Sequence, residues 1–406
     1  MRKNWEPKTL GEIASLRRET VDPRNAIGLR YVGLEHINPG EVLIDRWGDP
    51  TKVKSLKSHF YTNDILYGKL RPYLDKAVLA KDEGIASTDI LIITPNKADP
   101  SFLVYLLHSN RFLSYAKATM SGVNHPRTSW SALSKFELEV PPQREQSAIA
   151  RLLSVVQAAK AARQREIELE RERKAALIAC LFTYGIRSEE TTHSEIGKIP
   201  VSWEVAQLSS IVRETVKDGT HSTPSYIADG LPFITTKDIV DNRISFENCA
   251  YISREEHNKL KKRAFPEAED ILLTKVGSVG NVAIVDTDLE FSIFVQLALI
   301  KPDFDKVYPK FLMYALQSEK CQQEIYKKSS QSTMRFIGTQ KISTIRIPLP
   351  ALPEQHEITS VLQACDAKIR VLKNEIRLLN ELFAALLEKL MTGKLDVTPL
   401  KEVAQA

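Results

Sequence analysis

Cysteine and long apolar runs are both scarce in this sequence. Its 406 residues include four cysteines, and no apolar run approaches the roughly 20 residues that span a membrane. The amino end lacks the apolar core of a secretory signal. We therefore expect a cytoplasmic protein that does not bind membranes. The cysteines are too widely spaced for a metal-binding or disulfide pattern, which favours reduced, buried thiols and no metal site: Cys180, Cys249, Cys321 and Cys365.

An excess of charge and the signatures of catalysis are missing as well. The chain carries 56 lysines and arginines against 51 acidic residues, so net charge gives little indication of a polyanionic partner. The sequence lacks the Gly-x-x-x-x-Gly-Lys-Ser/Thr loop that binds nucleotide phosphates. It also lacks the Asn/Asp-Pro-Pro-aromatic element of amino-methyltransferases. We therefore expect no catalytic residue and no cofactor in this chain.

What the sequence does contain is one internal repeat that covers nearly its whole length. Trp5-Glu6 near the start returns as Trp203-Glu204, 198 residues later. The proline-rich segment that ends in Glu145-Gln146 returns as Glu354-Gln355, 209 residues later. Offsets that drift between such anchors are typical of diverged copies whose loops have changed length. The sequence therefore predicts two tandem domains, each followed by a helix.

Each copy combines strand and helix patterns. Short apolar runs at residues 89–93 and 281–285 are bounded by Gly, Pro, Asn or Asp and predict strands. Apolar residues at helical spacing predict one helix over residues 100–118 and one over 308–328. The expected fold class is α+β, with two mixed α/β domains.

Each copy then ends in a long helix with apolar residues at intervals of three and four. This heptad pattern predicts that the two helices pair as a coiled coil. About 39 residues at 1.5 Å each make a rod of roughly 58 Å. The expected seam consists of Ile149, Leu153, Val156, Ile167, Leu177 and Leu181 in the first helix, and of Ile358, Leu362, Ile369, Leu372, Ile376, Leu379, Phe383, Leu386 and Leu390 in the second.

Charged residues interrupt the seam of the first helix at Lys160, Arg163, Glu170 and Lys174. Two arrangements are open. The charged side chains can extend around the seam, or the helix can rotate so that Ala159, Ala162 and Leu169 make part of the contact.

The connection between the copies indicates that the helices pair antiparallel. A parallel pair needs the 19-residue linker to run back along the first helix, stretched close to its limit of about 63–68 Å. An antiparallel pair needs no such stretching, and it predicts a pseudo-two-fold arrangement. The expected divisions are a first domain at 1–143, a central helix at 144–183, a linker at 184–202, a second domain at 203–352, a second helix at 353–392 and a tail at 393–406.

Four segments of the second copy, residues 218–224, 236–239, 270–285 and 347–355, resemble the specificity subunits of type I restriction-modification systems. The repeated proline and Glu-Gln start of the long helices is the specific part of this resemblance. It implies two target recognition domains for a bipartite site in double-stranded DNA and a coiled-coil spacer. It also implies two methyltransferase subunits and restriction-translocase subunits as partners, which would carry S-adenosylmethionine, ATP and Mg²⁺.

The residues expected to contact DNA lie after strands and in the polar loop that follows the internal helix of each copy. Arginine, amide and hydroxyl groups suit both base edges and phosphates. Arg127 and Arg335 are taken as matching contributors, with one residue of slippage from the 209 offset. The full set is Lys69, Arg71, Asn124, His125, Arg127, Thr128 and Ser129 in the first copy, and Thr220, His221, Ser222, Lys237, Lys275, Ser278, Asn281, Ser332, Thr333 and Arg335 in the second.

The sequence is also compatible with other interpretations of these residues and of the whole chain. The polar loops can be solvated surface, the turn at residues 277–280 can be a tight hairpin, and His221 can serve in capping or packing. The basic run at residues 259–263 is interpreted as a solvated helix face. At the level of the whole chain, the alternatives are a coiled-coil protein that binds other proteins, and a specificity subunit of a methyltransferase-only system.

Overall fold

The computed structural model describes residues 4–26, 28–330 and 334–397, and they form two compact units. The first unit comprises residues 1–165 and 373–406, and the second comprises residues 166–372. This division differs from the sequential one expected from the sequence, because each unit contains one part of each long helix.

The first unit contains the first copy of the repeat up to the middle of its long helix, together with the last part of the second long helix. Its elements, in chain order, are β1 (Glu6–Thr9), α1 (Leu10–Ile13), β2 (Ala14–Arg17), β3 (Thr20–Val21), β4 (Arg30–Val32), β5 (Lys57–Phe60), β6 (Ile65–Gly68), β7 (Ala77–Leu79), β8 (Gly84–Ala86), β9 (Ile90–Pro95), α2 (Pro100–Leu107), α3 (Asn110–Ala118), α4 (Trp130–Leu133), β10 (Glu137–Val140) and the first part of α5 (Gln143–Tyr184).

The second unit contains the rest of α5 and the second copy. Its further elements are β11 (Thr191–Ser194), β12 (Gly197–Pro200), β13 (Glu204–Gln207), β14 (Lys217–Asp218), β15 (Leu231–Ile234), β16 (Ile239–Val240), β17 (Arg243–Ile244), β18 (Ala250–Ile252), α6 (Arg254–Lys261), β19 (Ile271–Thr274), β20 (Val282–Ile284), β21 (Ser292–Ile293), β22 (Leu297–Ile300), α7 (Pro309–Gln317), α8 (Glu319–Lys328), α9 (Thr339–Ser343), β23 (Arg346–Leu349) and the first part of α10 (Leu352–Met391).

The two units share three features of their sheets. An antiparallel sheet has the order β2-β9-β6-β7 in the first unit and β14-β22-β19-β20 in the second. A second sheet contains one parallel pair in each unit, β4 with β8 and β15 with β21. A third pairs the first strand of the copy with its last, β1 with β10 and β13 with β23. The prediction of two mixed domains in tandem is confirmed.

The central strands form because their apolar runs are buried on both faces. All of β19 and β22 is buried, and the alternating Ile90 and Ile92 of β9 pack in one cluster while Ile93 packs in another. Strands expected at residues 89–93 and 281–285 are found as β9 and β20. Of the four cysteines, Cys180 is exposed rather than buried.

Each internal helix predicted as one element is two helices. The break lies at Ser109 between α2 and α3, and at Ser318 between α7 and α8. Each serine hydroxyl accepts a hydrogen bond from a backbone N–H three residues later, 3.3 Å from Phe112 N and 3.5 Å from Cys321 N. Serine at this position caps a new helix start, so the helix changes direction there although its apolar pattern continues.

The repeated Gln near the start of each long helix bonds the backbone of neighbouring elements. The Gln146 side-chain amide donates to the Pro141 carbonyl at 2.8 Å, and its Oε1 accepts from the Asp99 backbone N–H at 2.8 Å. In the second unit, Gln355 bonds the Pro350 carbonyl at 2.9 Å and the Tyr308 backbone N–H at 2.7 Å in the same way. Each amide thus ties the last strand, the long helix and the internal helix together.

We expect Gln146→Leu to destabilise the first unit by about 2–3 kcal/mol, because two buried backbone groups lose their partner. Gln143→Leu, three residues earlier and exposed, is the matched control and should change the free energy of unfolding by less than about 0.5 kcal/mol. Urea unfolding followed by circular dichroism measures both. Equal midpoints for the two variants would contradict this role of the buried amide.

Within each unit the segments of α5 and α10 run antiparallel. In the first unit, Arg163 Nε lies 2.5 Å from Glu375 Oε2, and the same buried cluster contains Ile149 and Leu390. In the second unit, Lys174 Nζ lies 2.6 Å from Asp366 Oδ1 and Lys368 Nζ lies 3.3 Å from Glu170 Oε2. Residue numbers in one helix therefore fall as those in its partner rise.

The expected seam positions point inward, and the charged interruptions are accommodated in place. Glu170 and Lys174 are themselves buried, whereas Leu169 is 48% exposed and Ala162 is exposed. The rotated alternative is therefore wrong for Leu169 and Ala162. Ile149, Leu153, Val156, Ile167, Leu181, Ile358, Leu362, Leu372 and Leu390 are buried, and Leu177, Ile369, Ile376, Leu379, Phe383 and Leu386 are half-buried.

The segment between the copies is not an extended chain. Residues 191–194 and 197–200 pair as the hairpin of β11 and β12, with a turn that includes Gly197 at φ 96°. A hairpin shortens the reach of this segment, which agrees with the antiparallel pairing of the helices.

Candidate nucleic-acid interface

In the second unit, segments that are far apart in sequence meet around Lys275, the residue that follows β19. The Lys275 backbone N–H donates to the Gln296 carbonyl at 2.9 Å, and the Gln296 side chain accepts from the Thr236 hydroxyl at 3.2 Å. The Lys275 ammonium group bonds Asp218. Residues 218–222, 236–238 and 275–281, each selected from the sequence, are therefore neighbours.

Asp218 is the electrostatic centre of this cluster. Its carboxylate accepts hydrogen bonds from Lys275 and from Arg263 Nη2 at 2.5 Å, and His221 Nε2 lies 3.3 Å away. Burial alone would raise the pKa of Asp218, but the bonds and charges of Lys275 and Arg263 outweigh it and lower the pKa below its ordinary value. One buried carboxylate thus holds two cations and a histidine together.

Arg263 belongs to this cluster, although the basic run at residues 259–263 was interpreted from the sequence as a solvated helix face. Besides Asp218, its Nε lies 3.2 Å from the Gly219 carbonyl and its Nη2 lies 3.0 Å from His221 Nε2. The Arg263 side chain stays 54% exposed. Its position at the end of a basic run, one residue beyond the C-cap of α6, was the signal available for it in the sequence.

Close packing fixes the path of the segment that carries His221. A Cβ atom at Gly219 would lie 1.9 Å from the Ile293 carbonyl oxygen, so only glycine fits there. Thr220 is buried and its hydroxyl donates to the Ser222 carbonyl at 3.1 Å. His221 and Ser222 are exposed. The segment therefore presents His221 and Ser222 outward, while Thr220 shapes the turn.

The turn after β19 is held against the loop that follows α8. The Gly277 N–H donates to the Arg335 carbonyl at 2.9 Å, and the Ile337 N–H donates to the Lys275 carbonyl at 2.9 Å. The Arg335 guanidinium carbon lies 3.9 Å above the centre of the Tyr326 ring, and its Nη2 donates to the Tyr326 hydroxyl at 2.7 Å. Stacking on an exposed tyrosine gives Arg335 a defined orientation at the surface.

Other predicted contacts of the second copy differ in accessibility. Lys237, Ser278 and Asn281 are exposed. Lys275 is not exposed: 3% of its side chain is accessible, so the structure does not support the prediction that it contacts DNA. Its ammonium group forms an ion pair with the Asp218 carboxylate instead. Thr220 is likewise buried. Ser332 and Thr333 lie outside the described residues.

The first unit builds the same backbone ladder from its own segments. The Lys69 N–H donates to the Asp89 carbonyl at 3.0 Å, the Thr128 N–H donates to the Lys69 carbonyl at 3.0 Å, and the Arg71 N–H donates to the Pro126 carbonyl at 2.8 Å. The turn after β6 thus lies against the loop after α3, as the turn after β19 lies against the loop after α8. Both units bring a turn and a polar loop together at one place.

These matched hydrogen bonds correct the pairing of the two arginines. Leu70 forms an isolated bridge with Arg127, and Val276 forms the equivalent bridge with Phe336. The 209 offset therefore holds without slippage, so Phe336 corresponds to Arg127. Arg335 corresponds to Pro126, and the expected match between the two arginines is wrong.

The two arginines are also held differently. Arg127 Nε lies 3.0 Å from Asp89 Oδ1, and 44% of the Arg127 side chain is exposed. This carboxylate orients Arg127, as Tyr326 orients Arg335. Asp89 and Tyr326 were missed in the sequence because only the folded chain brings them to the arginines.

The remaining first-copy residues divide into exposed and structural ones. Arg71, Asn124 and His125 are exposed, and Lys69 is half-buried. Thr128 is 4% exposed and its hydroxyl lies 3.0 Å from the Thr119 hydroxyl, so the structure does not support a direct contact with DNA. Ser129 is exposed and caps α4.

In the part of the chain that the structure describes, no helix is long and apolar enough to cross a membrane. The same residues contain no group of three His, Cys, Asp or Glu side chains suited to a metal ion.

Comparison with known proteins gives consistent results. The model of the type I restriction modification DNA specificity domain matches residues 2–171 and 200–381. The MjaX specificity subunit of a type I restriction enzyme from Methanocaldococcus jannaschii is 26% identical over 418 residues, 97% of this chain and 94% of the relative. The EcoBI specificity subunit from Escherichia coli is 26% identical over 302 residues, 70% of this chain and 64% of the relative.

Two solved structures share the fold. A chain from a study of complex assembly and conformational transition of the type I R-M system has a TM-score of 0.61 at 21% identity, covering 97% of this chain and 99% of the other. The type I restriction-modification S subunit from M. genitalium has a TM-score of 0.57 at 16% identity, covering 96% of each chain.

Proposed function

Because this chain belongs to the type I restriction modification DNA specificity family, we propose that its two recognition domains read the two halves of a bipartite target in double-stranded DNA. The observation that carries this proposal is the ladder built twice, in which a turn and a polar loop present basic and amide side chains together. Different side chains on one backbone frame suit two domains that read different base sequences.

The long helices are proposed to act as the spacer between the two half-sites. Antiparallel contacts within each unit support this proposal, since a tandem repeat joined by antiparallel helices has pseudo-two-fold symmetry. Duplex DNA has a dyad of the same kind, so such a protein can read two separated half-sites at a fixed spacing. In this proposal the recognition domains are residues 1–143 and 203–352. The two long helices of the spacer pack against each other along the heptad seam.

Catalysis is proposed to reside in partner subunits. Two methyltransferase subunits would dock on the helices and bind S-adenosylmethionine, and restriction-translocase subunits would use ATP and Mg²⁺. This chain would select the DNA sequence on which the partner subunits act. The absence of nucleotide-binding and amino-methyltransferase motifs from the sequence supports this division of labour.

The arginines at the two ladders give the direct test of half-site recognition. We expect Arg127→Ala to weaken discrimination only in the first half-site and Arg335→Ala only in the second. A bidentate contact to guanine contributes about 1–3 kcal/mol of discrimination, whereas a phosphate contact weakens binding to every sequence and lowers the salt slope by about one. Binding is measured by fluorescence anisotropy on duplexes altered in one half-site at a time, at several salt concentrations.

Matched controls are Arg24→Ala in the first unit and Arg254→Ala in the second, both highly exposed arginines in surface ion pairs. They should leave discrimination unchanged. A uniform loss of affinity for all sequences, with a shallower salt slope, would reassign Arg127 and Arg335 to phosphate binding. Loss of discrimination in both half-sites from one substitution would contradict the division between domains.

A further inference from the structure

The connection between β6 and β7 in the first unit has no counterpart of the same chemistry in the second. It contains a rigid turn that exposes Tyr73 and Leu74 next to Arg71. We propose that this turn is an apolar wedge that enters the first half-site between base pairs, and that His108 is the residue that positions it. This inference rests on the proposed function, because it names how one of the two domains reads its DNA.

The backbone of the turn is held in an unusual conformation. Arg71 and Asp75 have φ values of 50° and 53°, in the left-handed region that residues with a side chain rarely adopt. Between them, residues Pro72–Leu74 form one turn of 3-10 helix, closed by hydrogen bonds from Leu74 N to the Arg71 carbonyl at 2.9 Å and from Asp75 N to the Pro72 carbonyl at 3.1 Å. Two strained residues at the ends of one turn imply that the surroundings fix its shape.

His108 supplies the principal side-chain support. It follows α2, is 5% exposed, and its Nδ1 lies 2.6 Å from Asp75 Oδ1 while its Nε2 lies 2.8 Å from the Ala77 carbonyl. The Asp75 carbonyl also accepts from the Gly40 N–H at 2.9 Å. The buried ring therefore joins the end of a core helix to the end of the turn, and Asp75 is held from two sides.

The fixed turn presents an unusual surface. Tyr73 is 45% exposed and Leu74 is 39% exposed, although Pro72 beside them is buried. Arg71 is exposed, and its N–H bonds Pro126 in the loop that also carries His125 and the half-exposed Arg127.

Duplex DNA is the occupant that fits this combination. Two apolar side chains at the tip of a rigid turn, with basic side chains on the turn and on the adjacent loop, match the way architectural proteins bind. Cations contact the phosphates while an apolar wedge unstacks a base step. Both acidic side chains nearby already have partners, Asp75 in His108 at 2.6 Å and Asp89 in Arg127 at 3.0 Å.

The equivalent connection in the second unit is small and polar. Residues 277–280 read Gly-Ser-Val-Gly, with Gly277 and Gly280 at φ values of 73° and 102°. Gln317 stands at the 209 offset from His108. The turn of the second domain therefore carries no exposed aromatic side chain and lacks the histidine support, and the exposed Tyr326 and Phe336 lie in the segments beside it. Unstacking by this turn is accordingly expected only in the first half-site, where flexible pyrimidine–purine steps would be preferred because they deform most easily.

The test uses the full-length chain and 2-aminopurine, a fluorescent adenine analogue whose emission rises when it is unstacked. A target duplex is first recovered by selection from a random library, and the analogue is then placed at successive positions of each half-site. Wild-type chain should raise the emission severalfold at one step of the first half-site and at none of the second. Tyr73→Ser combined with Leu74→Ser should abolish the rise and weaken binding about tenfold.

Two further variants separate the wedge from general effects. Val279→Ser changes the matched turn of the second unit and should leave the rise unchanged. His108→Gln introduces the residue of the second copy, and it should reduce the rise while affinity for a duplex altered in the first half-site stays at the wild-type value. Tyr73→Phe with native Leu74 should retain the rise.

The outcomes are distinguishable even if a variant does not fold. Wild-type binding to the selected duplex without any rise in emission overturns the wedge and leaves the proposed function standing. A rise in both half-sites, or one that survives the double substitution, also overturns it. Selection that enriches no duplex at all refutes the proposed function itself.

Discussion

Replacing Asp218 with alanine is expected to destabilise the second unit by about 3–5 kcal/mol, the usual effect of leaving the partner of a buried ion pair unpaired. Lys275, whose side chain is 3% exposed, would lose its carboxylate and remain inside the protein. Arg263 and His221 would lose the group that orients them. Recognition of the second half-site should therefore fail at temperatures where the variant is still folded. Thermal unfolding by calorimetry measures the stability effect.

A double substitution separates the ion pair from other effects of the change. Asp218→Ala combined with Lys275→Met removes both charges, so most of the lost stability should return, because replacing both partners of a buried pair is often neutral. Glu255→Ala, which removes an exposed pair with Lys259, is the control and should alter stability by less than about 1 kcal/mol. A double variant as unstable as the single one would contradict the pairing.

The pH dependence follows from the direction of the pKa shift. The pKa of Asp218 is lower in the folded protein than its ordinary value, since the bonds from Lys275 and Arg263 outweigh burial. Such a carboxyl stabilises the fold above its unfolded pKa and loses this contribution as pH falls through the folded pKa. The stability difference between wild type and Asp218→Ala should therefore stay constant near neutrality and shrink in acid.

The second large effect concerns the length of the long helices. Four residues inserted after Arg165 and four after Asn374 should lengthen the preferred gap between the half-sites by about one to two base pairs. Four residues add about 6 Å and 40° beyond a full turn, and one base pair also rotates the duplex by about 35°. In sequence, each insertion lies between residues of two pairs that stay matched, Arg163 with Glu375 in the first unit and Glu170 with Lys368 in the second. Library selection with the variant measures the gap.

Insertion into one helix alone is the control for this experiment. It displaces one helix relative to the other beyond the insertion and so breaks the pairs between them. We therefore expect a lower free energy of unfolding rather than a new gap between the half-sites. A paired insertion that leaves the gap unchanged while both half-sites are still recognised would show that the helices do not set the spacing.

Much of the fold was predictable because it depends on local patterns repeated twice. The antiparallel direction followed from a linker length, and the positions of Gln146 and Gln355 followed from the repeat. Their role did not, since the carbonyl and N–H groups that they join become neighbours only when strand and helix meet. The breaks at Ser109 and Ser318 were missed because the apolar spacing continues across them.

The candidate site was less predictable, for two physical reasons. Exposure depends on tertiary packing, so Lys275 and Thr128 appeared as surface residues in the sequence although they are buried. Partners from distant segments are also invisible in one sequence, which is why Asp218 and Arg263 were not linked. The one-residue error between Arg127 and Arg335 arose from matching residue type, whereas backbone hydrogen bonds identify Phe336 as the counterpart of Arg127.

The most direct test of the central claim is selection of bound duplexes from a fully randomised library by the full-length wild-type chain, followed by sequencing. We expect two short specified blocks separated by an unspecified gap of fixed length. Affinity for such a duplex should fall steeply with salt and should be lost in part when either block is scrambled. A single contiguous block, or no enrichment at low salt, would contradict recognition of two half-sites by two domains.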